Sequence, residues 1–310
     1  MKIQFVLLVS ITLLINYSCE KENPPPEVTY ITSDLLKGEM QSIFFFNSDT
    51  GFIVGWYDSI YKTIDGGELW TCTASGIEED LTSVYFPNFN IGYVVGWYGA
   101  LLKTTNSGQS WLKLNSGVTT NLNSVFFISS ELGYVAGDFG VILKTDNGGE
   151  TWNALETKVP YALNSIFFFD ETSGFAVGLR GTIIKTIDGG KTWIQQNGNN
   201  SNLNSVSFYD KNIGFAVGDT GKILKTTDGG NNWLVIPSGV SSKYCSIQVL
   251  DINTVYISGW DGIIMNSRNS GLSWEKVEGG GMKRLNSIYF PTMNIGYVTG
   301  EHGTFIKIQN

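Results

Sequence analysis

Histidine occurs once in the 310 residues, at His302, and cysteine only three times. With so few, no Cys/His spacing of a metal site can be written. A Ser-His-Asp triad would have to run through His302, and no distinctive nucleophile motif accompanies it. Charge is scarce as well: 15% of residues, with a net of −8. The chain therefore has no basic field to draw nucleic acid or anionic lipid. It also lacks an apolar run of the roughly 20 residues that a membrane-spanning helix requires.

The longest such run, Ile3 to Ile15, covers 13 residues behind Lys2, the length of a signal-peptide core. It ends at Ile15-Asn16-Tyr17-Ser18-Cys19, where a small residue directly before cysteine resembles a bacterial lipobox. The expectation is a signal peptide over residues 1–18, a lipid on Cys19, and a lipid-anchored protein of the cell envelope, outer-membrane, periplasmic or surface-exposed. An uncleaved anchor and an ordinary signal peptide are the alternatives. Residues 19–27 form a polar, proline-rich tether in which Pro24-Pro25-Pro26 favours extended geometry. The remaining cysteines, Cys72 and Cys245, fall on strands of non-adjacent repeats, too far apart to pair.

Glycine (37 residues) and aromatics (13%) are plentiful, which suits an all-β chain with many tight turns. One phrase recurs six times, at Thr63–Trp70, Thr104–Trp111, Thr145–Trp152, Thr186–Trp193, Thr226–Trp233 and Ser267–Trp274, with starts 40 or 41 residues apart. That period with strand-like content reads as propeller blades. Residues 122–155 illustrate one unit, with strands expected at Leu122–Ile128, Gly133–Gly137, Val141–Thr145 and Thr151–Leu155. The first-strand pattern occurs seven times, from Met40, Leu81, Leu122, Leu163, Leu203, Tyr244 and Leu285. The seventh repeat stops after its third strand, Thr304–Ile308, and Val28–Thr32 is a spare strand. The fold predicted is therefore one domain over residues 28–310: a seven-bladed β-propeller of four-stranded antiparallel blades, its last blade closed by an N-terminal strand.

In the phrase, Asp65, Asn106, Asn147, Asp188, Asp228 and Asn269 occupy one position. Asn stands there as often as Asp, which suits a turn residue accepting backbone N–H bonds and not an acid catalyst or metal ligand. Trp70, Trp111, Trp152, Trp193, Trp233 and Trp274 close the phrase and should pack on the blade. Ser42, Ser83, Ser124, Ser165, Ser205, Ser246 and Ser287 stand in all seven first strands, four of them behind Asn123, Asn164, Asn204 and Asn286. Sevenfold repetition predicts a shared structural hydrogen bond near the axis.

These phrases resemble the Asp-box (BNR) repeat, S-x-D-x-G-x-T-W, of sialidases, sortilins and xyloglucanases. The longer unit, as in Gly214–Trp233 (GFAVGDTGKILKTTDGGNNW), resembles the photosystem II assembly-factor family over essentially residues 38–310. The resemblance implies seven blades, no catalysis and a scaffold role in membrane-complex assembly. Family members acting on photosystem II carry clustered arginines, whereas this chain has only Arg180, Arg268 and Arg284 in separate loops. A partner other than a photosystem is therefore expected.

The Asp-box turns should lie on one face and the turns between second and third strands on the other. The latter vary: Trp56-Tyr57, Trp97-Tyr98, Asp138-Phe139, Leu179-Arg180, Asp219-Thr220, Trp260-Asp261 and Glu301-His302. Exposed aromatics among polar neighbours suit protein recognition or sugar stacking, unless the rings fold inward. The first expectation is a non-catalytic, membrane-tethered scaffold with a protein partner, needing no cofactor. The rival is a glycan-binding surface lipoprotein, and less favoured is a glycosidase. A sialidase would need three arginines on one carboxylate, and a glycosidase two acids within reach among Asp138, Asp219 and Asp261.

Overall fold

The computed structural model describes residues 25–57, 59–198 and 200–310. The signal segment, Cys19 and the tether up to Pro24 lie outside the described residues. Among the described residues, seven four-stranded antiparallel sheets follow one another around an axis. Their first strands begin at Met40, Leu81, Leu122, Leu163, Leu203, Tyr244 and Leu285, as the repeat predicts.

Blade 3 shows why the local sequence folds this way. Its strands are Leu122–Phe127, Gly133–Gly137, Ile142–Thr145 and Asn153–Leu155. The second strand is buried at every residue because neighbouring blades cover both its faces. The fourth starts two residues later than expected because Thr151 belongs to the turn, its N–H bonded to Asn147 Oδ1 at 3.0 Å. Blade 7 consists of Leu285–Tyr289, Ile295–Gly300, Phe305–Gln309 and the N-terminal strand Glu27–Tyr30, with Val28 opposite Ile308. The chain thus closes its ring with its own beginning, as predicted.

A four-stranded sheet of this size buries too little to stand alone, so the seams between blades matter most. Near the axis, Ser Oγ of one blade accepts a backbone N–H of the next. Examples are Val125 N–H to Ser83, Ile166 N–H to Ser124 and Ile43 N–H to Ser287, at 3.3–3.4 Å. The preceding asparagines add a second bond, Asn164 Nδ2 to Leu203 O at 2.8 Å and Asn286 Nδ2 to Met40 O at 2.9 Å. At mid-radius, Trp152 packs edge-on against Phe127 of its own blade and Tyr93 of the blade before (6.0 and 6.5 Å between centroids). Trp233 does the same with Phe208 and Phe175. Beneath, Tyr93 Oη and Lys103 Nζ both donate to Gly148 O of the next Asp-box turn, each at 2.6 Å.

Inside each Asp-box, a hydroxyl and an acid or amide organise the turn. Thr186 Oγ1 donates to Asp188 Oδ1 at 2.9 Å and accepts Gly190 N–H, while Asp188 Oδ1 accepts Thr192 N–H at 2.9 Å. Asn147 holds the same pose with Thr145, Gly149 and Thr151. Bonds from Thr192 hold the Asp188 carboxyl below its ordinary range, and bonds from Asn232 do the same for Asp228. For Asp65 the largest such contribution is the Leu69 N–H. Cys72 and Cys245 are strand residues with free thiols.

A carboxyl depressed by folding stabilises the native state above its unfolded value, near 3.9, and that stability is lost as pH falls through the folded value. The melting temperature should therefore drop steeply below about pH 4. The Asp65→Asn/Asp188→Asn/Asp228→Asn variant should lose less over the same interval, because asparagine already serves in the other three boxes. Scanning calorimetry from pH 5 to 2.5 measures both slopes; equal slopes would remove the turn acids as the cause.

Candidate functional site

The Asp-box turns and the variable turns lie at opposite ends of the strands, since each follows a strand of opposite direction. At the variable end, every turn makes one shared bond and three turns make a second. The first turn residue donates its N–H to the residue preceding an inner strand, as Trp97 to Asp80 O and Asp138 to Asn121 O, both at 2.9 Å. In three turns the second residue also donates to a side chain preceding the next blade's inner strand: Tyr57 to Asp80 Oδ1, Tyr98 to Asn121 Oδ1 and Arg180 to Asn202 Oδ1. All seven second residues sit in the left-handed region, φ 54–66° for Tyr57, Phe139, Arg180, Thr220, Asp261 and His302 and 52° for Tyr98. Gly140 follows at φ 73°, where an added Cβ would fall 1.8 Å from Val159 O. The second-position rings consequently project outward: Tyr57, Tyr98 and Phe139 are 73%, 68% and 73% exposed.

Four of the seven first-position side chains face the axis. Trp56, Leu179, Asp219 and Trp260 line a funnel of about 440 Å³ whose wall also carries Asn123, Asn164, Asn204 and Asn286. Trp56 and Trp97 sit 6.4 Å apart, inclined at 58°. Deeper along the axis, Phe44, Tyr85, Phe126, Phe167 and Tyr289 form an aromatic collar, each touching a counterpart on an adjacent blade at 5.1–5.6 Å. Burial raises the Tyr85 and Tyr289 phenols above their ordinary value.

The funnel is lopsided. On the blade 6–7–1 side, Arg284 bonds Glu39 Oε1 at 2.5 Å and Glu301 Oε2 at 2.9 Å. Its guanidinium and the Lys243 ammonium lie over the Trp260 indole, 5.4 and 5.2 Å from the centroid. Lys243 also reaches Asp219 at 3.7 Å. The Arg284 bonds hold the Glu301 carboxyl low, while burial against this cluster pushes the Cys245 thiol up to about 11.

The remaining acids are tied down within their own blades. Asp138 accepts Asn121 and Asn123, Asp219 accepts Asn202 and Asn204, and Asp261 accepts Ser242. Arg180 stacks on Tyr161 at 5.0 Å. Arg268 lies at the opposite end in a groove with Asp251 and Asn310. The three arginines thus occupy three separate places.

A family model described as photosynthesis system II assembly factor YCF48 matches residues 31–155 and again 149–240. The chain belongs to the YCF48 family. Among solved structures, one described as YCF48 bound to D1 peptide is 20% identical, with TM-score 0.78, covering 93% of this chain and 96% of that one. YCF48 from Cyanidioschyzon merolae is 18% identical, with TM-score 0.76, over 91% and 98%. A structure described as U3-55K shares the fold at 8% identity, with TM-score 0.77, over 91% and 98%. No curated protein matches the chain.

Sequence reasoning missed Arg284, Lys243, Glu39 and the collar. The collar had a signal: the residue two after the repeated serine is Phe or Tyr in five repeats, at 44, 85, 126, 167 and 289. Arg284 had none, because its partners come from the first blade and from its own turn. Arg284→Met leaves Glu39 and Glu301 without their cation and should cost about 1–3 kcal/mol at pH 7. Glu301 is depressed by this bond, so the deficit should shrink as pH falls below about 4. Urea unfolding at pH 7 and pH 3.5 reads both; an undiminished deficit at the lower pH would deny the pairing its part.

Proposed function

We propose that the chain is a non-catalytic, membrane-tethered scaffold that binds a protein of the cell envelope through its variable turn face. The observation that carries this reading is the set of exposed rings held on a backbone clamped between blades. Tyr57, Tyr98 and Phe139 stand outward, Trp56 and Trp260 line the funnel, and Trp97 lies beside Trp56. Aromatics presented without freedom to collapse are the anchors of protein interfaces, and rigid presentation spares the entropy of ordering them on binding.

Family membership supports the reading, and so does the D1 peptide bound to a YCF48 of the same fold. The scattered arginines favour a partner other than a photosystem. Asp138, Asp219 and Asp261 serve as latches within their blades, which suits a scaffold better than a hydrolase.

The tether fits this orientation. Glu27 pairs with Gln309 at the Asp-box end of the last blade, so the chain enters the domain there. The stretch from Cys19 to Glu27 can span no more than about 29 Å. A lipid on Cys19 would hold the Asp-box face toward the membrane and turn the aromatic face away from it.

Affinity capture from solubilised envelope with the tagged mature chain should retain a protein that a Trp56→Ala/Trp97→Ala/Trp260→Ala variant, shown folded by circular dichroism, releases. The same protein set on both would sink the scaffold reading.

A further inference from the structure

We propose that the blade 1–blade 2 quarter of the turn face takes lysine or arginine side chains of a protein partner, in a cleft between Trp97, Tyr98 and the acids Glu78 and Asp80. The inference rests on the protein-binding reading above and adds the chemistry of the partner.

The cleft has a volume of about 410 Å³ and is lined by Glu78, Glu79, Asp80, Trp97 and Tyr98. The Trp97 and Tyr98 rings meet edge-on at 6.4 Å and 87°, and Tyr98 is largely exposed. Both turn residues are held by backbone N–H bonds to Asp80 O and Asn121 Oδ1, which fix the backbone that carries the rings. Glu79 is paired with Lys113 at 3.2 Å. Among the described residues, Glu78 and Asp80 have no cationic partner within ion-pair distance. Among the described residues, the Asp80 carboxylate accepts the Tyr57 N–H.

The same molecule shows what completes such a site. Trp260 has Lys243 and Arg284 over its ring, with Asp219, Glu39 and Glu301 balancing them. Tyr161 has Arg180. In these places ring, acid and cation, or ring and cation, are assembled within the chain. At Trp97 and Tyr98 the rings and the acids are present and the cation is missing. An aromatic face attracts a cation through its quadrupole, and neighbouring carboxylates add Coulomb attraction. The charge of the cleft disfavours an acidic segment or a free carboxylate.

The test uses the full mature chain with 15N-labelled indoles. Three acetylated, amidated peptides of one length are titrated: Gly-Lys-Ser-Arg-Gly-Lys-Gly, and the same peptide with every Lys and Arg replaced by Glu or by Gln. Cellohexaose is titrated in parallel. The basic peptide should shift the Trp97 indole saturably, more weakly as salt rises. A Glu78→Gln/Asp80→Asn variant should bind it about tenfold more weakly. Asp80→Asn reproduces the residue that stands at 121 and 202 in the same structural place, so the fold is retained.

Equal shifts from the basic and neutral peptides would overturn the proposal. So would unchanged binding by the charge variant, or a Trp97 response to cellohexaose alone. The two readings separate in the envelope capture. A partner lost on Trp97→Ala/Tyr98→Ala but kept by Glu78→Gln/Asp80→Asn leaves the scaffold standing and removes the basic partner. Salt-sensitive binding of the basic peptide at Trp97, with no envelope protein captured, supports the cleft and removes the scaffold.

Discussion

Everything in this molecule depends on the seam between one blade and the next. A four-stranded blade exposes two apolar faces and cannot cover either by itself. The second strands are buried at every residue only because adjacent blades lie on both sides. The seams are fastened at up to three heights: serine and asparagine near the axis, tryptophan at mid-radius, and lysine or tyrosine under the Asp-box turn. The ring must therefore close, and it closes by pairing Glu27–Tyr30 with Phe305–Gln309.

That closure explains a departure from the repeat. Lys62, Lys103, Lys185 and Lys225 each donate to the Asp-box turn of the following blade. The equivalent residue of blade 6 is Asn266, buried and bonded to Arg268. Blade 7 has no Asp-box turn because its fourth strand comes from the other end of the chain. A lysine there would have no carbonyl to meet, and an unpaired ammonium against the core is costly. Tyr256 instead hydrogen-bonds the side chain of Asn310.

The same fastening shapes the candidate site. Turns clamped to their neighbours present side chains without letting them collapse, so the character of the face is set by which residues stand at fourteen positions. Among the described residues, Trp97 and Tyr98 face Glu78 and Asp80 with no cation paired to them, whereas Trp260 carries Lys243 and Arg284 over its ring. One face thus carries two different chemistries on a nearly sevenfold frame, while the Asp-box face repeats itself.

The sequence by itself determined the blade count, the strand order, the starts of all seven inner strands and the closure. These are consequences of local pattern, repeated often enough to read: alternating β-branched and aromatic runs, punctuated by glycine turns at a fixed period. It also named the residues of the turn face, since they vary where the rest repeats. Only the tertiary structure decided which of them are exposed and which are latched. Asp138, Asp219 and Asp261 look alike in sequence as candidate acids, and each is tied to a partner outside its own turn. Arg284 meets Glu39 across 245 residues, a contact that exists because the last blade closes on the first. That contact joins different repeats at the mouth of the ring, and no local period encodes it.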